Sequence, residues 1–143
     1  MHIANNIKRT FVAISFALSA SAACAEVVVI VSAKSSVSTL SNEQATDIFL
    51  SAATFPGGSM AVPIDQSEGS PVRDEFYSKV ASKSPPQLKA YWAKVIFTGK
   101  GRPPKEVPDS TTIKKLVADN PNIIGYVEKG AVDASVKVVL TVR

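Results

Sequence analysis

The chain has 143 residues, of which 16 are Lys or Arg, 12 are Asp or Glu, and 45% are hydrophobic. This length suits one domain, and a charged fraction of 20% among many aliphatic residues excludes a disordered chain. The 7 Gly and 9 Pro follow no triplet period, which excludes a fibrous protein.

The first 25 residues have the pattern of a secretory signal peptide. Lys8 and Arg9 precede an apolar run at 11–23, which ends at an A-x-A site, Ala23-Cys24-Ala25. The run is shorter than the roughly 20 apolar residues of a transmembrane helix. We therefore expect cleavage after Ala25, which divides the chain into a signal peptide at 1–25 and a periplasmic or secreted domain at 26–143, without a membrane span.

Lipidation is the alternative fate of this segment. Ser21-Ala22-Ala23-Cys24 resembles the recognition site of bacterial lipoproteins, with Cys24 as the lipid-bearing residue. That site normally has an aliphatic residue three positions before the Cys, where this chain has Ser21. Cleavage after Ala25 is therefore the favoured expectation.

Export would leave a chain without His or Cys, because His2 and Cys24 are the only ones. This excludes disulfides, Cys/His zinc sites, and catalytic triads or dyads built on His or Cys. Loss of Lys8 and Arg9 would reduce the 16 basic residues to 14, against 12 acidic ones, which gives no support to nucleic-acid binding. We expect a protein that is not an enzyme and that uses no cofactor or metal.

The elements of the mature chain are predicted in the order β-α-β-α-α-α-β-β. The apolar runs at 27–31, 61–64, 123–127 and 136–142 predict strands, and the first of these, apolar on both faces, predicts a central strand. Helix starts are predicted at Ser41, at Ser70 before Pro71, at Ser84 before two prolines, and at Asp109 or Ser110. The segments at 51–60, 65–70 and 99–108 are predicted loops. This order indicates one α/β domain with a mostly parallel or mixed sheet flanked by helices.

The candidate binding site lies in the segment 62–77, VPIDQSEGSPVRDEFY. A helix N-terminus presents free N–H groups and a partial positive charge, which favour anions. The hydroxyl of Ser70, the amide of Val72 and the guanidinium of Arg73 are expected to converge on one oxyanion, with Gln66 and Glu68 on the rim. The alternative is a well-capped amphipathic helix, in which Ser70 binds its own backbone and Arg73 is solvated.

Two other features of the sequence lie outside this segment. The loop GKGRPPK brings together Lys100, Arg102 and Lys105, which could add charge to an anion site, contact an acidic partner, or simply form a solvated turn. It lacks the GxxxxGK[ST] frame of a P-loop. Trp92 shares a helical stripe with Leu88 and Ile96, which predicts a core position rather than a stacking platform.

Four segments in order resemble the second lobe of the periplasmic phosphate-binding proteins of ABC transporters, within the type II periplasmic-binding-protein superfamily. They are Leu40-Ser41…Asp47-Ile48-Phe49-Leu50, Val62-Pro63-Ile64 with its loop into Phe76-Tyr77, Trp92…Phe97-Thr98-Gly99-Lys100-Gly101, and Ile124-Gly125-Tyr126-Val127-Glu128. The chain is most similar to short, single-lobe relatives of these proteins. The resemblance implies one lobe of that fold and a solute-binding module that binds phosphate, sulfate or another oxyanion weakly, linked to ABC-type phosphate transport.

The phosphate loop of that family reads Arg-x-Asp-x-Ser-Gly-Thr, and the matching run here is 66–72. Ser70 keeps the family's Ser, whereas Gln66 stands for the Arg, Glu68 for the Asp, and Pro71-Val72 for the Gly-Thr. These differences leave a second hypothesis open. The chain would then be a periplasmic interaction or regulatory module that has lost ligand capture and contacts a periplasmic or membrane protein.

Overall fold

Five strands form one sheet in the computed structural model, which describes residues 26–143. They are β1 (Val27–Ser32), β2 (Val62–Gln66), β3 (Lys105–Val107), β4 (Ile123–Glu128) and β5 (Val136–Thr141). Their order across the sheet is β3-β2-β4-β1-β5. β2 is parallel to β3 and β4, whereas β1 is antiparallel to β4 and β5. The predicted mixed α/β architecture is confirmed.

Each helix begins directly after a residue that the sequence predicted as a cap. The helices are α1 (Asn42–Ser51), α2 (Pro71–Ala81), α3 (Pro85–Phe97) and α4 (Ser110–Asp119), and a 3-10 turn follows β4 at Lys129–Ala131. Ser41, Ser70, Ser84 and Asp109 each accept a hydrogen bond from a backbone N–H in the first turn. This satisfies donors that the helix itself leaves free.

Helices cover both faces of the sheet, so the core has two parts. On one face, Phe49 of α1 and Phe76 of α2 pack with Tyr126 of β4, and the rings of Phe76 and Tyr126 stack at 4.1 Å. On the other face, Ile113 and Val117 of α4 pack against β1. Because β1 lies between both layers, all six of its residues are buried, as predicted for a central strand.

The structure corrects three predictions about these elements. Residues 105–107 lie in the predicted loop at 99–108 but form β3, because they pair in parallel with 64–66 of β2. β2 itself continues through Asp65 and Gln66, which were assigned to a loop. Trp92 is buried as predicted, whereas Ile96 of the same stripe is 56% exposed.

The predicted signal peptide at 1–25, including Cys24, lies outside the described residues. Among residues 26–143, none of the helices is long and apolar enough to cross a bilayer.

Candidate functional site

A buried carboxylate lies where β2 approaches its carboxyl end. Asp65 is 1% exposed, and its carboxylate accepts hydrogen bonds from the hydroxyls of Tyr77, at 2.8 and 2.9 Å, and of Tyr126, at 2.9 Å. Burial raises the pKa of Asp65 from 3.8 to about 6, because desolvation outweighs the two tyrosine hydrogen bonds and the nearby Arg73. Burial next to this carboxylate also raises the pKa of both tyrosines far above 10, so both hydroxyls stay protonated and donate.

Gln66, the last residue of β2, joins the starts of two helices. Its side-chain N–H donates to the hydroxyl of Ser110 in α4 at 2.9 Å, and its side-chain oxygen accepts from the hydroxyl of Ser70 at 2.9 Å. Its backbone N–H donates to the hydroxyl of Tyr126 at 3.1 Å. Gln66 is 3% exposed, so the expectation that it lies on the rim of the site is wrong. The Gln66 side chain therefore links the start of α2 to the start of α4.

Ser70 caps α2 and is fully engaged. Its hydroxyl accepts from the backbone N–H of Arg73 at 3.4 Å while it donates to Gln66. This arrangement matches the capped-helix alternative. An anion that accepts a hydrogen bond from the Ser70 hydroxyl would have to replace the side-chain oxygen of Gln66 as the acceptor.

Arg73 lies at the base of the same helix and is largely buried, so the alternative that it is solvated is wrong. Its guanidinium donates to the backbone carbonyl of Gln66 at 3.0 Å and forms an ion pair with Glu106 of β3. Burial by itself would lower the pKa of Arg73, but the carboxylates of Asp65 and Glu106 raise it above its usual value. The guanidinium is therefore charged and already paired.

Of the five predicted site residues, the structure brings three into one hydrogen-bonded cluster: Gln66, Ser70 and Arg73. Glu68 is exposed at the turn before α2, and the side chain of Val72 packs against the core. Whether the cluster binds a ligand stays a prediction. Sequence reasoning missed Asp65, Tyr77, Tyr126 and Glu106, because nothing in their local sequence shows that four separate elements meet here.

A cleft of about 310 Å³ opens beside this cluster. Glu68, Arg73 and Glu106 form one wall, and apolar side chains of α3, among them Leu88 and Ile96, form the other. Lys89 of α3 also lines the cleft, so the cleft offers two cations, Arg73 and Lys89, beside two carboxylates and an apolar surface. Among the described residues, no group of three or more His, Cys, Asp or Glu side chains is placed to hold a metal ion.

Comparison with known proteins was informative at the level of structure alone. No family model and no curated protein sequence matches the chain. A protein assigned as a phosphate ABC transporter substrate-binding protein from Clostridium perfringens, solved with bound phosphate, matches with a TM-score of 0.64 and 27% identity over 80% of this chain. An ABC-type phosphate transport receptor from Vibrio cholerae matches with a TM-score of 0.62 and 20% identity, and PstS from Borrelia burgdorferi with 0.57 and 11%.

The extent of these matches agrees with the single-lobe resemblance. Each covers 80% of this chain but only 44–46% of the other protein, so the chain spans less than half the length of the proteins it matches. The names of these proteins describe substrate binding in transport and not catalysis. The chain is thus a single-lobe structural relative of the phosphate-binding proteins of ABC transporters.

Proposed function

We propose that the chain is a solute-binding-protein-like module that binds a small oxyanion, phosphate or sulfate, weakly at the start of α2. The observation that supports this most is the position of Arg73. Its guanidinium lies at a helix N-terminus and faces the cleft, and its carboxylate partner Glu106 comes from the cleft wall, with a side chain 46% exposed. An anion that enters the cleft competes with the Glu106 carboxylate for the Arg73 guanidinium.

Three features make this binding weak. Glu106 and Glu68 both line the cleft and repel an anion. The Ser70 hydroxyl already donates a hydrogen bond to Gln66, and Pro71, at the first position of the helix, has no N–H that could donate to an anion. A charged hydrogen bond contributes about 1.5–3 kcal/mol, so the loss of two such contacts shifts affinity by at least about a hundredfold. We expect phosphate affinity in the millimolar range.

Titration of residues 26–143 with phosphate, followed by calorimetry or NMR shifts, tests this proposal. Glu106→Gln removes the competing carboxylate and should tighten binding up to about fivefold, since an ion pair at such a half-exposed position contributes at most about 1 kcal/mol. Arg73→Gln should abolish binding. Glu43→Gln, which makes the same charge change on the exposed start of α1, is the matched control and should bind as the wild type does.

One outcome of this titration would contradict the proposal. If neither the wild type nor the Glu106→Gln variant shows any shift near Ser70 at tens of millimolar phosphate, this oxyanion site does not exist.

Export to the periplasm is the second part of the proposal. It rests on the signal-peptide pattern at 1–25. Mass spectrometry of the periplasmic fraction should find a mature chain that begins at Glu26. An intact Met1, or a lipid attached to Cys24, would contradict it.

One observation favours the interaction-module hypothesis as a second candidate. Phe97 at the end of α3 is 92% exposed, and its neighbour Ile96, in the cleft wall, is 56% exposed. Large apolar side chains grouped at a cleft are typical of contact surfaces. If neither the wild type nor the Glu106→Gln variant binds phosphate, the interaction module becomes the favoured function.

A further inference from the structure

A second concave site, separate from Arg73, lies at the other end of β2. It is a groove of about 480 Å³ between the end of α1, the middle of α3 and the loop at 100–104. Its volume falls in the range of small-molecule sites, which is roughly 300–1,000 Å³. We call it the α1–α3 groove. Val62 and Pro63 line it, and they lie up to about 13 Å along the strand from Gln66.

The inner surface of the α1–α3 groove is apolar and well fixed. Phe49 and Trp92, both buried in the core, line it together with Tyr91 and Val95. The Tyr91 hydroxyl donates to the backbone carbonyl of Leu50 at 2.6 Å, which ties α3 to the end of α1. Pro103 and Pro104 stiffen the loop on the opposite side. The groove is therefore preformed rather than dependent on a ligand to shape it.

The rim of the α1–α3 groove is cationic only. Lys100, Arg102 and Lys105 all line it, and no Asp or Glu does. Within residues 26–143, none of these three side chains takes part in an ion pair, whereas Arg73, Lys79, Lys114 and Lys129 do. Three unpaired cations on the edge of an apolar groove favour a ligand with both an anionic group and an apolar body.

We propose that the α1–α3 groove binds a small amphipathic anion: a carboxylate, sulfonate or phosphate ester attached to an aromatic or aliphatic body. The body lies against Tyr91, Trp92 and Val95, and the anionic group lies beside Lys100, Arg102 and Lys105. Apart from the three cations and Ser51, the residues that line the groove are mostly apolar, so apolar contact supplies the affinity and the cations supply the selectivity.

The fluorescent sulfonate 1-anilinonaphthalene-8-sulfonate is a suitable probe, with the neutral N-phenyl-1-naphthylamine as its uncharged analogue. Trp92 is the single Trp of the chain, so energy transfer from Trp92 to the probe reports binding near it. The triple variant Lys100→Gln, Arg102→Gln, Lys105→Gln should bind the sulfonate about tenfold more weakly, because each of the three exposed cations contributes a small favourable attraction. Binding of the neutral analogue should be unchanged.

Four controls separate this site from other causes. The variant Lys34→Gln, Lys115→Gln, Arg143→Gln removes the same three charges from exposed positions outside the groove and should bind the sulfonate as the wild type does. Arg73→Gln should also leave sulfonate binding intact, and phosphate should not compete, so the outcome does not depend on the proposed oxyanion site. This dye also binds loosely packed states of proteins. An unchanged near-ultraviolet circular dichroism spectrum of each variant would therefore show that the probe binds the folded chain.

A filling variant tests the apolar half of the proposal. Val95→Phe should reduce binding of both probes, since a larger side chain occupies the groove and Trp92 stays the single Trp. The proposal is wrong if the groove triple variant binds the sulfonate as tightly as the wild type, if the control triple variant weakens it equally, or if Val95→Phe, while folded, affects neither probe.

Discussion

Replacing Asp65 by Asn should remove a fall in stability that the wild type shows between about pH 4 and pH 6. Asp65 is buried, and its pKa in the folded protein is about 6 instead of 3.8. Well below pH 3.8 the carboxyl is protonated in both the folded and the unfolded chain. As the pH rises, the unfolded chain releases its proton first, while the folded protein keeps it until about pH 6.

The size of this effect follows from the difference between the two pKa values. Each pKa unit corresponds to 1.36 kcal/mol, so a rise from 3.8 to about 6 lowers the free energy of unfolding by about 3 kcal/mol across this interval. Above pH 6 the loss is complete and constant. The exposed Asp109 and Asp133 do not interfere, because their hydrogen bonds to Thr112 and Ser135 lower their pKa and place their effect at more acid pH.

Urea unfolding of residues 26–143 at a series of pH values, followed by circular dichroism, measures this effect. The difference in free energy of unfolding between the Asp65→Asn variant and the wild type should rise by about 3 kcal/mol, in favour of the variant, from below pH 4 to pH 7. Asp119→Asn makes the same change on the surface and should not reproduce this rise. A difference that stays constant with pH would refute the assignment of a raised pKa to Asp65.

Two further predictions concern packing. A Cβ at Gly125 would lie 2.5 Å from Cγ2 of Ile113, so Gly125→Ala should lower the free energy of unfolding by about 1–3 kcal/mol, whereas Gly130→Ala, with nothing within 4 Å, should change it little. Trp92→Ala should cost about 3–5 kcal/mol, since Trp92 is buried in the core, and Phe97→Ala, at a 92% exposed position, should stay within about 0.5 kcal/mol of the wild type. Equal midpoints in urea for either pair of variants would contradict these core assignments.

The location of the candidate site along the chain could be predicted from the sequence, but the hydrogen bonds and ion pair of its side chains could not. Sequence reasoning placed Ser70 and Arg73 at the start of α2, since a Ser followed by Pro marks a helix start within a few residues. It could not show that Glu106 pairs with Arg73, because these residues are 33 positions apart and meet only when β3 joins β2. Gln66 was read as a loop residue for the same reason.

The helices and the central strand were determined by local sequence. The backbone N–H of Ser41 donates to the Gln44 side chain and the backbone N–H of Gln44 donates to the Ser41 hydroxyl, so this capping box depends on residues only three positions apart. The run at Val27–Ser32 is rich in β-branched residues and apolar on both faces, which is typical of a strand covered on both sides, and all six residues are buried.

The tertiary structure decided what depends on contacts distant along the chain. β3 has three residues, too few to form a recognisable pattern, and exists because β2 supplies its hydrogen-bond partners. Tyr77 and Tyr126 fit an apolar stripe in the sequence, yet their hydroxyls surround Asp65 from 12 and 61 positions away. A buried carboxylate needs donors, and which side chains donate is settled by the packing of α2 and β4 around β2 rather than by any neighbour in sequence.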